Sequence, residues 1–253
     1  YYSIFSRTET HYQRCCSRSR KGLNKDRKAT KMRKSGILLA ISSIPSKYGI
    51  GSFSKEAYEF VDFLEKAGQS LWQILPLGPT GYGDSPYQSF STFAGNPYYI
   101  DLEEFITKGY LTKEECDNSD LGDGEFVDYE KIFHAKFKLL KKAFLKSNLE
   151  ENRDYQEFIE KNEGWLDDYA LFMALKDSFG GISWIEWDKD IKLRKKSVLA
   201  KYRKELAQEI AFYKFQQYYF AKQWKELKGY ANDKGIEIVG DIPIYVALDS
   251  ADT

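Results

Sequence analysis

Two short apolar runs, Ile37–Ile41 (ILLAI) and Leu71–Leu77 (LWQILPL), constrain this chain more than any other feature. Alternating polarity suits a strand with one wet face, whereas mostly continuous apolar sequence suits a strand buried on both faces, as in parallel sheets. Between the runs, Ser54 is placed to cap a helix through Lys66. Ala57, Phe60, Val61, Leu64 and Ala67 share one face of it, and Gly68 suits the position just past its end. Strand, helix and strand within about 40 residues make a right-handed βαβ unit with parallel strands.

A third strand of this kind, Glu237–Val246 (EIVGDIPIYV), comes about 160 residues later. Ordinary connections between strands and helices are a few residues long, so an inserted subdomain is expected in the gap. Helical periodicity marks residues 129–147, with Ile132, Phe133, Phe137, Leu140 and Phe144 inward and His134 and the lysines on a solvated face. Along residues 201–231, Leu206, Ile210, Tyr213, Phe220, Trp224 and Leu227 recur at threes and fours, with Gln217 in the open place of the stripe. Residues 117–125 (DNSDLGDGE) form an acidic turn without the ligand pattern of a calcium loop. Parallel strands alternating with helices leave an open doubly wound sheet or a (β/α)8 barrel. Both place function at the C-terminal ends of the strands.

Charge divides the chain in two. Of its 38 basic and 38 acidic residues, eleven basic and two acidic ones fall in residues 1–35, leaving 27 against 36 in the remainder. A basic leader at +9 thus precedes an acidic body at −9. The leader lacks the apolar stretch of a secretory signal. The preferred reading is a disordered or non-native segment ahead of Met32, and the alternative is a transit peptide. No apolar run reaches the roughly 18–20 residues of a membrane span. Adjacent Cys15 and Cys16 with a distant Cys116 give no disulfide framework, and two histidines without a cysteine cluster give no metal site. The lysines of the 129–147 helix form a solvated face and not a nucleic-acid patch.

Chemistry is therefore sought after each strand. Residues 78–102 (GPTGYGDSPYQSFSTFAGNPYYIDL) have the glycines of a phosphate loop but no Gly-Lys-Ser/Thr and no helix to open. Tyr82, Asp84, Ser85, Tyr87, Gln88 and Asn96, stiffened by Pro79, Pro86 and Pro97, suit a neutral hydroxyl-rich ligand. Aromatic faces pack on a pyranose ring while hydroxyls and amides bond its oxygens. A structural loop that uses Asp, Ser and Asn to turn is the equal alternative. Asp241 stands in an otherwise apolar strand, where a carboxylate belongs either to a structural network or to a site. Asp249 and Asp252 serve the same site or cap a following helix.

LLAISSIPSKYGIGSF, WQILPLGPTGYGDSPYQSFSTFAGNPYYIDL and GDIPIYVALDSAD resemble the amylomaltase or disproportionating-enzyme family, the 4-α-glucanotransferases. The resemblance is close over residues 32–102 and about 229–253. It implies an α/β fold, the α-amylase-like (β/α)8 TIM barrel, here its first strands plus a largely helical inserted subdomain. The expected division is a basic leader (1–35), the first βαβ unit with a glucan-binding loop (36–102), a helical insertion (103–230) and the third strand with its loop (231–253). The implied activity moves maltodextrin segments between α-1,4-glucans through a covalent glucosyl-enzyme with retention. Ser85 and Tyr87 match the family's donor-site loop, Tyr82 a secondary glucan contact, and Asp241 a strand-end carboxylate lining the active site.

Ala40 stands where the family often has histidine. The family's Arg-Ile-Asp-His-Phe, Glu-Asp-Leu-Gly and Thr-His-Asp stretches, which carry its nucleophile, acid/base and stabiliser, do not occur in this sequence. No catalytic residue is assigned, and the chain by itself is expected to be inactive. The implied partner is an α-1,4-glucan or malto-oligosaccharide, with no cofactor, metal, nucleic acid or membrane, in the cytoplasm or, if residues 1–31 are a transit peptide, the plastid. An α-amylase-type hydrolase and a non-catalytic maltodextrin-binding fragment are the alternatives.

Overall fold

The computed structural model describes residues 33–81, 84–122 and 126–253, of which Lys34–Thr253 form one compact unit. The expected leader lies outside the described residues except for its last three. Of these, Lys34 pairs with Glu237.

Three strands, β1 (Gly36–Leu38), β2 (Leu71–Gln73) and β3 (Glu237–Val239), form a parallel sheet in the order β1-β2-β3. Register pairs Ile37 with Trp72 and Trp72 with Ile238. The strands are shorter than the apolar runs predict. Ile41 belongs to a 3₁₀ turn at Ile41–Ser43, and the ladder beyond β2 ends with Ile74 N–H donating to the Val239 carbonyl at 3.0 Å. Past β1 and β2, Ile41 and Ile74 are buried in the core with helix residues, whereas past β3 Ile242, Ile244 and Tyr245 are exposed, so the third apolar run is not a buried strand to its end. Gly36 is required by the close approach of β1 to β2: a Cβ there would meet the Leu71 carbonyl oxygen at 2.4 Å.

Eight α-helices are described: α1 (Lys55–Lys66), α2 (Glu103–Thr107), α3 (Lys113–Asp117), α4 (Tyr129–Lys146), α5 (Arg153–Ser178), α6 (Lys189–Lys192), α7 (Lys196–Glu205) and α8 (Ala207–Asp233). α1 buries Ala57, Val61 and Leu64 as its periodicity predicts, and ends at Gly68 with φ +67°. Ala67, just past the last helical residue, is exposed. The side chain of Ser54 bonds Glu56 rather than the helix backbone. Asp128 caps α4, accepting from Lys131 N–H at 3.1 Å, and Asn152 caps α5, accepting from Tyr155 N–H at 3.0 Å.

α4 buries Ile132, Leu139, Leu140 and Ala143, whereas Phe133, expected inward, is half exposed. Lys136, counted among solvated lysines on sequence grounds, is buried. Its ammonium donates to the Tyr98 carbonyl at 2.5 Å, and burial pulls its pKa down to about 8.

α8 is the axle of the unit. Six successive residues, Phe215 to Phe220, are buried, so its middle is covered on every side and not along one stripe. It packs on α5, α1, α4 and β3, and one core joins Trp72 and Ile74 of the sheet region with Phe105, Leu140, Phe215 and Leu227 of the helices. Rings supply about a third of that core's buried residues: Phe105 meets Tyr219 edge-on at 4.6 Å and stacks on Phe215 at 5.7 Å. Fully burying a side chain of this size stabilises the fold by roughly 1.5–3 kcal/mol.

Candidate functional site

The segment after β2 is an arch. Thr80 and Ser89 form an antiparallel bridge, Gly81 N–H donates to the Gln88 carbonyl at 3.2 Å, and Phe90 N–H reaches the Pro79 carbonyl at 3.4 Å. A turn over Ser85–Gln88 closes the tip, with Gln88 N–H donating to the Ser85 carbonyl at 3.1 Å and Tyr87 N–H to Ser85 Oγ at 3.3 Å. Pro86 pre-sets the backbone at the second position of that turn. Asp84 enters the tip at φ 55°, in the left-handed region, and partial burial raises the pKa of its carboxyl.

Tyr87 stands exposed on the tip and reaches the next strand. Its hydroxyl donates to Asp241 Oδ2 at 2.7 Å, while Asp241 Oδ1 accepts from Ile242 N–H at 2.8 Å. The carboxylate at the other end of the bond raises the Tyr87 pKa, which keeps the phenol protonated and donating. Asp241 was expected inside a buried strand. β3 ends two residues earlier, and Asp241 is half-buried beyond it. Its carboxylate therefore keeps part of its hydration, and burial does not set it apart. Its contact with Tyr87 joins the segments that follow two adjacent parallel strands.

The arch is braced from beneath by α8. Gln217 clamps Gly95 in both directions, Oε1 accepting from Gly95 N–H at 2.7 Å and Nε2 donating to the Gly95 carbonyl at 2.9 Å. A Cβ at Gly95 would lie 2.1 Å from the Phe220 ring, so only glycine lets the backbone come this close. Gln223 does likewise for Asp101, accepting from its N–H at 2.8 Å. Asn96 is buried and accepts from Tyr98 N–H at 3.0 Å, which makes it a turn residue and not a ligand contact. Asp252 accepts from Thr92 Oγ1 at 2.8 Å, and Asp249 from Trp184 N–H at 3.2 Å. Both therefore tie segments together. Tyr82 lies outside the described residues. Among the described residues, no group of three His, Cys, Asp or Glu side chains is placed to hold a metal ion.

Residues 39–253 match the family model described as 4-alpha-glucanotransferase. The chain belongs to the 4-alpha-glucanotransferase family. The 4-alpha-glucanotransferase of Clostridium butyricum is 56% identical over 213 residues, which are 84% of this chain and 44% of that protein. The chloroplastic/amyloplastic 4-alpha-glucanotransferase of Solanum tuberosum is 38% identical over 229 residues, 87% of this chain and 39% of the potato protein. The amylomaltase of Streptococcus agalactiae, solved in complex with acarbose, superposes with a TM-score of 0.83 at 47% identity, covering 87% of this chain and 45% of that one. The chain thus spans less than half the length of these relatives.

As a glucanotransferase-family chain, it has the α-amylase-like fold of its amylomaltase neighbour, contributing a parallel three-stranded sheet and a mostly helical segment. Of the residues singled out from sequence, Ser85, Tyr87 and Asp241 are brought together at one end of this sheet, Ser85 shaping the turn that presents Tyr87. The site offers an exposed aromatic face, a donated phenol and a carboxylate, which suits binding and orienting a sugar. The Gln217 clamp had one visible signal, a polar residue in the open place of an apolar stripe. The roles of Asp249 and Asp252 had none, because their partners are distant in sequence. Among the described residues, no helix is long and apolar enough to cross a membrane.

Proposed function

We propose that this chain is the glucan-binding N-terminal part of a 4-α-glucanotransferase that moves maltodextrin segments between α-1,4-glucans. The observation that carries the reading is the Tyr87–Asp241 hydrogen bond, 2.7 Å long, which joins the loops after adjacent parallel strands in a chain of this family. The ring of Tyr87 offers a face for a pyranose, and Asp241 and Ser85 supply oxygens for its hydroxyls. Tyr82 adds a secondary glucan contact. Retention requires a carboxylate nucleophile and a carboxylic acid/base roughly 5–5.5 Å apart. On this reading those groups are supplied from beyond residue 253, and the chain binds sugar without turning it over. Cytoplasmic glucan metabolism is the favoured setting, since Cys116 is a buried free thiol that needs no oxidising compartment, and a plastid is the alternative.

The test is a chimera in which this chain replaces the matching part of the Clostridium butyricum relative. Incubated with maltotriose, it is expected to release glucose and longer maltodextrins at constant reducing-end count. A steady rise in reducing ends would replace transfer by hydrolysis, and a folded chimera that leaves maltotriose intact would remove the reading.

A further inference from the structure

A lysine on α5, far in sequence from either site loop, sits where both loops are fixed. Lys176 is buried, with 8% of its side chain exposed. Its ammonium donates to Asp249 Oδ2 at 2.5 Å and to the Ile182 carbonyl at 3.2 Å, and lies 5.2 Å from the centre of the Phe90 ring. Phe90 belongs to the arch that carries Tyr87, and Asp249 to the segment that begins at Asp241. One cation therefore touches both segments. Around it the two are laced together: Ala251 N–H donates to the Phe90 carbonyl at 2.8 Å, and Thr92 Oγ1 to Asp252 at 2.8 Å. Trp184 completes the junction, its indole N–H donating to the Leu248 carbonyl at 2.7 Å.

We propose that Lys176 is a positioning residue for glucan transfer, setting the spacing between the segments that bear Tyr87 and Asp241. The inference rests on the glucanotransferase reading. The segment after β3 is held at two ends, by Tyr87 at Asp241 and by Lys176 at Asp249. Without Lys176 the second end rests on Trp184, Ala251 and Asp252, and the looser hold there shifts load onto Asp241. Lys176 acts through Asp249 and touches no substrate. Asp249 already has 32% of its side chain exposed, so without its cation it turns further to water, which draws residue 249 outward and takes Asp241 with it.

The test is a double-mutant cycle of Lys176→Met and Tyr87→Phe in the same chimera, reading kcat/KM for maltotriose and the melting temperature of all four proteins. Lys176→Met is expected to cost about 30-fold beside an intact Tyr87 and about threefold or less in the Tyr87→Phe background, because the bond it protects is already gone. Asp249→Asn, which keeps the shape and drops the charge, is the second variant and is expected to show the same coupling at smaller size. Losses that multiply independently, or a Lys176→Met protein as active as its parent, would overturn the assignment while leaving the transferase reading in place. A folded parent chimera without transfer would remove that reading and the assignment with it.

Discussion

The segment that follows β2 and the segment that follows β3 meet at Tyr87 and Asp241 but are held in different ways. The first has its own antiparallel bridge, a proline-set turn, the two-way clamp from Gln217 and the Lys136 ammonium on the Tyr98 carbonyl. The second has pins and little else. Between Asp241 and Asp249 its apolar side chains face outward, Ile242 at 78%, Ile244 at 88% and Tyr245 at 84% exposure. The first half of the candidate site is held by contacts of its own, and the second largely by contacts to its neighbours. Disturbing the arch should therefore travel to Asp241, whereas changes within 242–248 should stay local.

Gln217→Leu is the severest way to break the brace. It leaves a buried backbone N–H and carbonyl at Gly95 unpaired, and urea denaturation is expected to show a loss of about 3 kcal/mol. A loss under about 1 kcal/mol would mean that the arch carries itself. Lys136 gives a pH-dependent version. Its folded pKa, about 8, lies below the ordinary 10.5, so between these values the unfolded chain holds the proton the folded one has lost, and stability rises with pH. Relative to Lys136→Met, the chain is expected to gain about 2 kcal/mol between pH 8 and 10 at 1.36 kcal/mol per pKa unit. A flat difference would show that the ammonium is solvated.

Tyr87→Phe sharpens the comparison at the contact itself. In the chimera it is expected to lower kcat/KM for maltotriose about tenfold, the worth of one hydrogen bond to a charged acceptor. The melting temperature should hardly move, because the ring is exposed. Unchanged kinetics would remove Tyr87 from the site. The smallest effect belongs to Ile244→Lys, expected to alter stability by less than about 0.5 kcal/mol. It should also reduce self-association in sedimentation, since a bare apolar stretch beside a sheet edge is an aggregation hazard. A large destabilisation would show that Ile244 is buried.

What the sequence revealed follows what each signal encodes. The apolar runs located all three strands and their parallel sense, although among the paired strand residues only Trp72 is fully buried and the expected burial on both faces is not found at Leu38 or Val239. They overstated strand length: past Gln73 the chain stays buried after the ladder stops, whereas past Val239 the apolar residues are exposed. Periodicity located α1, α4 and α8 but misjudged faces. Phe133 turned outward while Lys136, a helix turn away, went in, since a stripe count cannot weigh a lysine that finds a carbonyl. In α8 the stripe was real at Tyr213, Phe220 and Leu227 and invisible where every side is covered. Tyr87 and Asp241 were each readable as site candidates, but not their bond, which spans 154 residues.

The brace on the arch also has a place in time. Gly95 and Gln217 are 122 residues apart, so a ribosome adding roughly 5–20 residues per second makes the arch about 6–24 s before the side chain that clamps it. During that interval the backbone near Gly95 has no partner from α8, and the opening strands wait with their third member unmade. A nascent chain of this kind is most exposed to chaperones and proteases in that window, and slow codons between α4 and α8 would widen it.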